Sequence, residues 1–281
     1  MAYPDCGGDL RSRSSSVGCT ACDAAYPIRQ GRIYFCAPPP ADDSLDTVKR
    51  SLRRLLGSAY PLMVGFLGPT LLPDYRKVID RYVDPSKKMV VDVGSGDRRV
   101  HPDTLCLDWN DHHEVDVVCK LPAFPFKSDS LDGITAWNVF EQLEAPQESA
   151  KKMILSLSAD GYIMAEIPFM MPYHAGPEDH QRFTHQGAKG LFKPCLIVDQ
   201  WNTAGPFSLL CFVIAELVPA LLTFGLPRLR AWIYLVLCAL LSPLKYLDVI
   251  SIRRQSLIGI APSILTIGRK TDLGNGPGDI N

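Results

Sequence analysis

The stretch Val90-Val91-Asp92-Val93-Gly94-Ser95-Gly96-Asp97 is an apolar run that ends in two glycines one residue apart. A strand ending in Gly-x-Gly lets the backbone approach a ligand closely, because a side chain there would collide with it. Ligands of open α/β sheets bind at this place, beyond the carboxyl ends of the strands. A third glycine is missing, since Asp97, Arg98 and Arg99 follow. Dinucleotide-binding loops use that glycine for tight helix packing, so the pattern argues against an NAD or nucleotide-sugar enzyme. Asp108 lies 14 residues after Gly94, in Leu107-Asp108-Trp109. An acidic side chain ending the next strand can accept hydrogen bonds from both ribose hydroxyls. Trp109 could pack on an adenine face. The bland reading of Asp108 is a turn cap, and the glycine turn one strand earlier favours the ribose role.

A second group of reactive side chains lies in residues 168–184, which include His174, Asp179, Arg182 and Thr184. His174 could take a proton from a hydroxyl, its ordinary pKa being near neutrality. Asp179 could orient it, and Arg182 could grip an anion. The competing reading is a structural loop in which Asp179 pairs with Arg182 and Thr184 caps the next helix. A third group is Cys6, Cys19 and Cys22, spaced like the knuckles of a zinc ribbon, which needs four thiolates. Tyr3 stands where the first knuckle would begin, and Cys36 is the candidate fourth ligand. The alternative is a ribbon that has lost its metal and persists as a small β module.

These groups need elements to hold them. Short apolar, β-branched runs predict strands over 89–93, 104–108, 115–119, 133–136 and 162–167, with two more over 196–201 and 263–267. A helix fits over 147–157, and alternation of strands with helices predicts an α/β fold, a parallel sheet covered on both faces. Residues 1–36 form a separate Cys-, Gly- and Ser-rich module. Residues 37–87 make a Pro-rich linker and a helical lead-in, in which Lys49, Arg50, Arg53 and Arg54 read as one helix face. The core spans 88–206, its last strand falls within 251–270, and 271–281 reads as a disordered tail. Lys+Arg is 29 against Asp+Glu 30, so no overall charge points to nucleic acid. No apolar leader is visible at the N-terminus, and Cys106, Cys119, Cys195, Cys211 and Cys238 sit in apolar surroundings, as reduced thiols do. The expectation is a cytoplasmic protein.

The order of motifs carries a resemblance. Val91-Asp92-Val93-Gly94-Ser95-Gly96 and Leu107-Asp108 are followed by Leu121-Pro122-Ala123-Phe124-Pro125-Phe126, Ser128-Asp129-Ser130-Leu131-Asp132-Gly133-Ile134 and Asn138-Val139-Phe140-Glu141-Gln142-Leu143. With Asp160-Gly161-Tyr162-Ile163-Met164, this series resembles the methyltransferase type 11 branch of the class I S-adenosylmethionine (SAM)-dependent methyltransferases. The resemblance covers residues 88–203 and the final strand. It implies a Rossmann-like sheet and SAM as cofactor. Asp92, Gly94, Ser95 and Gly96 would line the methionine moiety, Asp108 would hold the ribose, Leu121 would border the adenine, and Asn138 would face the methyl donor. Lys120 stands where the family often has an acid, Gln142 where it often has His, and Ala159-Asp160-Gly161 replaces Pro-Gly-Gly. Tyr3, Lys120 and Gln142, all departures from pattern, keep open a second reading, a non-catalytic methyltransferase fold used as a membrane-associated binding or scaffold protein. Residues 172–184 also resemble a segment of a subset of these enzymes often encoded among glycan-assembly functions. The implied acceptor is the oxygen or nitrogen of a small-molecule, glycan or lipid-linked compound.

Residues 207–250 interrupt the alternation. Residues 207–226 form a 20-residue apolar stretch containing Glu216 and Pro219, long enough for a hydrocarbon core of about 30 Å. Arg228 and Arg230 follow, then a shorter apolar run over 231–244. A helical hairpin at a membrane interface fits Glu216 and the arginines, and would make the protein peripheral at the inner face of the membrane. A buried lid, a dimer surface and true spanning helices are the alternatives. A similar insertion, ending like Pro243–Asp248, accompanies the resemblance.

Overall fold

The computed structural model describes residues 1, 6–39, 57, 60–173, 178–252 and 254–271. Among these, one mixed sheet organises the chain. Its N-terminal strands are β1 (Leu10–Ser12), β2 (Ser16–Cys19), β3 (Ala25–Arg29) and β4 (Arg32–Tyr34). The central strands are β5 (Val90–Val93), β6 (Leu105–Asp108), β7 (Val117–Val118), β8 (Leu131–Trp137) and β9 (Leu157–Pro168), and β10 (Cys195–Asn202) and β11 (Ser263–Lys270) complete it. The spatial order is β1-β2-β3-β4-β7-β6-β5-β8-β9-β11-β10.

Strands β7, β6, β5, β8 and β9 run parallel, while β11 is antiparallel to both β9 and β10. The order reverses at β5, where β6 lies on one side and β8 on the other. Such a switch point opens a crevice at the carboxyl ends of the strands. The expected strands are all present, and β9 begins five residues earlier than its apolar run. The N-terminal module is continuous with this sheet, because β4 pairs in parallel with β7.

All four residues of β5 are buried, as a strand covered on both faces requires. Alternate residues feed two cores. Val91, Val93, Ile163, Ala165 and Ile167 join Phe140, Met153 and Phe192 on one face. Val90 and Met164 join Tyr75, Ile79 and Trp137 on the other. The first core is closed by α3 (Pro146–Ser156) and α4 (His185–Leu191), and the second by α2 (Tyr75–Tyr82), which follows α1 (Tyr60–Leu67). Pro at the first helical position starts α3, and the Thr184 hydroxyl caps α4 by accepting from Gly187 N–H at 3.1 Å. Asp74 caps α2 in the same way.

The insertion is a hairpin of α5 (Pro206–Leu222) and α6 (Pro227–Lys245), followed by α7 (Asp248–Ser251). Its base is tied to the body by buried polar groups. The Asp248 carboxylate accepts from the backbone N–H groups of Gly205, Phe207 and Ser208 at 3.0, 3.0 and 2.8 Å, capping α5. Lys245 Nζ donates to the carbonyls of Gly65, Phe66 and Gly68 at 2.8, 3.1 and 2.7 Å, at the end of α1. The basic run at 49–54 and residues 272–281 of the tail lie outside the described residues.

Candidate functional site

At the carboxyl edge, β5 ends in the glycine turn. Gly94 and Gly96 adopt φ of +65° and +62°, the left-handed region that side chains resist. A Cβ on Gly94 would also sit 2.4 Å from Val139 Cγ2. The N–H groups of Gly94 and Ser95 donate to the Leu107 carbonyl at 2.8 and 3.2 Å. Asp108 then closes the turn from the next strand. Its Oδ2 accepts from Gly96 N–H at 2.8 Å, and its Oδ1 accepts from the backbone and side-chain N–H groups of Asn110 at 2.7 and 3.2 Å.

A cleft of about 540 Å³ opens over this turn, within the size range of small-molecule sites. Gly94, Gly96, Asp108, Trp109, Leu121 and Asn138 all line it. Asn138 follows β8 with φ of +56°, and its Oδ1 is buried with no hydrogen-bond partner. An unpaired buried acceptor costs about 1–3 kcal/mol, so the site is poised for a donor. Trp109 donates through Nε1 to the Ala37 carbonyl at 3.3 Å, and Lys120 Nζ lies 4.1 Å from its ring centroid. Lys120 thus makes a cation–π contact with the ring on which an adenine could stack.

Asp92 and Ser95 sit behind the lining. Asp92 is fully buried and accepts from Thr135 Oγ1 at 2.5 Å, while its Oδ2 has no partner. Burial pushes this carboxyl up to about 7, against the opposing effects of the Thr135 hydrogen bond and nearby Arg98. A related buried network lies one strand further on. Glu166 accepts from Tyr75 OH and, at 2.6 Å, from Thr203 Oγ1. Burial raises its pKa also.

Glu141 is a site residue that the spacing of the sequence did not single out. It lies in the 3-10 turn after β8, lines the cleft, and is buried with Oε2 unpartnered. Burial pushes its carboxyl up to about 8, opposed in part by Arg182. Its backbone carbonyl accepts from the N–H groups of His180 and Gln181, so the 178–182 segment helps bury it.

That segment carries the second sequence group. His174 lies outside the described residues. Arg182 forms a bidentate ion pair with the buried side chain of Asp179. It also donates to the carbonyls of Met171, Pro172 and Gln181 at 3.1, 3.1 and 2.9 Å. Those contacts use all five guanidinium N–H donors, so Arg182 pins the loop while lining the cleft.

Cys6, Cys19 and Cys22 converge. Cys6 Sγ lies 3.5 Å from Cys19 Sγ and 3.7 Å from Cys22 Sγ. A tetrahedron with Zn–S bonds of ~2.3 Å has sulfur–sulfur edges of about 3.8 Å, so three thiolates fit zinc. Gly8 is required here, since its Cβ would fall 2.7 Å from Cys19 Sγ. Cys36 is not in this cluster. It ends the chain segment after β4 and packs against Tyr34, Val115 and Val118, because the parallel pairing of β4 with β7 carries it away. The fourth-ligand expectation for Cys36 is corrected accordingly.

No family model and no curated protein matches this sequence. Solved structures of similar shape exist. A chain from the complex of the Haloferax volcanii Trm112 methyltransferase activator with a methyltransferase shares 14% identity, with a TM-score of 0.42 over 72% of this chain and 95% of that one. Haemonchus contortus phosphoethanolamine N-methyltransferase 2, in complex with S-adenosyl-L-methionine, shares 10% identity with a TM-score of 0.44 over 78% of this chain and 59% of its own. The [4+2]-cyclase SpnF shares 12% identity with a TM-score of 0.43, over 84% and 98%. The strand order, with antiparallel β11 between β9 and β10 and the glycine turn after β5, is that of a Rossmann-like mixed sheet.

Proposed function

We propose that this chain is a SAM-dependent methyltransferase acting on an oxygen or nitrogen of a small-molecule, glycan or lipid-linked acceptor. The observation that carries the reading is the glycine turn closed by the Asp108 carboxylate at the floor of a 540 Å³ cleft. A carboxylate has about four acceptor positions. Gly96 and Asn110 take three, which leaves one for a ribose hydroxyl and holds the carboxylate rigidly in place. Asn138 Oδ1 would accept from the amino group of the methionine moiety. Gly94 lets the turn pack on Val139, and the space beside Gly96 is open to a ligand. Leu121 and Trp109 would flank the adenine, with Lys120 on the indole.

When bound, SAM supplies a methyl group on a sulfonium that leaves as a neutral thioether. The nucleophile must lose a proton as it becomes methylated. Glu141 is a buried carboxylate that lines the cleft with one oxygen unpartnered and can take it, and a carboxyl pushed up to about 8 is a good base once ionised. Positioning in the cleft carries much of the remaining acceleration. His174 remains a candidate second base.

Lys120 on Trp109 favours a competing reading, a binding or scaffold protein that has lost transfer. Titration calorimetry with SAM separates these readings from a non-SAM protein: heat is expected, and its absence at millimolar ligand sinks both SAM readings of the cleft. Transfer of labelled methyl to an acceptor mixture then separates enzyme from scaffold.

A further inference from the structure

The α5–α6 hairpin exposes two apolar stripes. On α5 the stripe is Leu210, Val213, Leu217 and Leu221, and on α6 it is Leu229, Trp232, Val236 and Leu240. Both have the same 3-4-4 spacing, which gathers them on one side of each helix. The contacts between the helices come from other positions. Cys211 Sγ reaches the Leu241 carbonyl at 3.4 Å, and Glu216 pairs with Arg230 at 3.1 Å. At about 100° per residue these four positions lie roughly 105–135° round from the midlines of the stripes. The stripes therefore point away from the partner helix, on opposite sides of the hairpin. At the turn, Phe224 is 94% exposed, and Trp232 on α6 is 70% exposed.

A second copy docking with two-fold symmetry covers one patch of each protomer. It leaves the opposite stripe in water. An apolar solvent covers both. The lengths agree with this: 17 and 19 residues at 1.5 Å per residue give about 25 and 28 Å, close to a hydrocarbon core of ~30 Å. Between Pro206 and Leu244 the sequence has three charged residues, Glu216, Arg228 and Arg230. Glu216 and Arg230 neutralise each other. Arg228 stands beside the turn, where its long stem lets the guanidinium reach phosphate headgroups.

We propose that the α5–α6 hairpin enters a phospholipid bilayer, turn first, and that this seats the cleft at the membrane surface. The seating follows from topology. Ser263, where the chain returns to β11, pairs with Pro168 at the carboxyl end of β9, and Thr203, just before α5, bonds Glu166 at the same edge. The hairpin thus leaves the sheet from the edge that carries Asn138 and the glycine turn. An acceptor drawn from the bilayer, amphiphilic and presenting a hydroxyl or amine at headgroup level, is the substrate class this seating selects. That last clause rests on the methyltransferase reading, whereas membrane entry does not.

The test is flotation of the full chain with phosphatidylcholine vesicles, with and without phosphatidylglycerol. The wild type is expected to float with both, and more strongly with the anionic lipid. The pair Leu217→Asp and Val236→Asp, one per stripe, is expected to lower the floated fraction at least tenfold each. Leu155→Asp, at an exposed apolar position on α3, is the control and should float as wild type. SAM calorimetry on each variant shows that the body is folded, and its failure in wild type would overturn the methyltransferase reading alone. A wild type that stays at the bottom of the gradient overturns membrane entry. So does loss of flotation in the Leu155 control equal to that of the stripe variants. A concentration-dependent dimer in light scattering that either stripe variant abolishes, without flotation, would assign the surface to a second copy instead.

Discussion

Gly96 N–H donates to Asp108 Oδ2 at 2.8 Å, so the turn after β5 and the end of β6 are locked together by one charge-assisted hydrogen bond. The same carboxylate would serve the turn and the ligand. Replacing it should damage both, in proportions that can be measured. Asp108→Asn keeps the shape and removes the charge. The loss of a charged hydrogen bond is worth about 1.5–3 kcal/mol, so SAM affinity should fall roughly 10- to 100-fold by calorimetry. Asp108→Ala should abolish the heat. Unchanged affinity in both variants would remove Asp108 from the site.

Gly94 and Gly96 share a left-handed backbone but not the same surroundings. Gly96 has open space where a Cβ would go, whereas Gly94 has Val139 at 2.4 Å. Gly96→Ala should cost only the backbone strain, about 1–2 kcal/mol. Gly94→Ala should cost that plus a core clash of about 1–3 kcal/mol, with a correspondingly lower Tm. Adding Val139→Ala should recover part of the Gly94→Ala loss and none of the Gly96→Ala loss. Equal Tm values for the two glycine variants would contradict this account.

Glu141 predicts opposite trends for stability and rate. Burial raises its folded pKa to about 8 from an ordinary value of 4.5. The folded state holds the proton through that window and the unfolded chain does not. Its contribution is therefore full below about pH 4.5, falls as pH rises, and is lost by about pH 8. Glu141→Gln keeps the neutral form, so its stability relative to wild type should rise across the window by a few kcal/mol. Denaturation at pH 5 and pH 8 checks the sign. Methyl transfer should rise with pH towards a plateau above about 8 in wild type, and Glu141→Gln should flatten that profile while leaving SAM binding in place.

Arg182 is tested by Arg182→Lys, which keeps the charge and loses the fork. A lysine has one nitrogen for the work of three. Asp179 would keep one ionic partner, and the carbonyls of Met171, Pro172 and Gln181 would lose their shared donor. Stability should drop roughly 1.5–3 kcal/mol, the worth of a charged hydrogen bond, with faster proteolysis within 168–184. An anion-binding role without structural weight would instead leave proteolysis unchanged.

The cysteine cluster predicts about one zinc per chain by metal analysis of protein purified without chelator. Cys19→Ser should release it and lower Tm, while Cys36→Ser should retain it, because Cys36 packs elsewhere. Metal-free wild type with an unaltered Tm would identify a ribbon that holds its shape without metal.

What the sequence alone determined was local. Short apolar runs bounded by glycine and polar residues favour buried strands by their length, so β5, β6, β8 and β11 were legible around Val90, Leu105, Ile134 and Ile267. Two glycines after β5 marked a turn of left-handed backbone, and Asp108 one strand later marked the carboxylate that closes it and that is proposed to hold the ribose. Those are properties of a few adjacent residues. The tertiary structure decided everything that depends on what distant segments bring. Glu141 is buried because the 178–182 loop folds over it, so its shifted proton affinity has no signature near residue 141. Pairing of Arg182 with Asp179 was one of two readings open in the sequence, and only the fold shows its other donors consumed by carbonyls 1 to 11 residues away. Cys36 is excluded from the thiolates by the β4–β7 pairing, a contact between segments more than eighty residues apart. The apolar insertion was visible as composition, but which side of each helix faces its neighbour is set by packing. Hydrophobicity says how much surface must leave water, and only the assembled fold says which surface is left to do so.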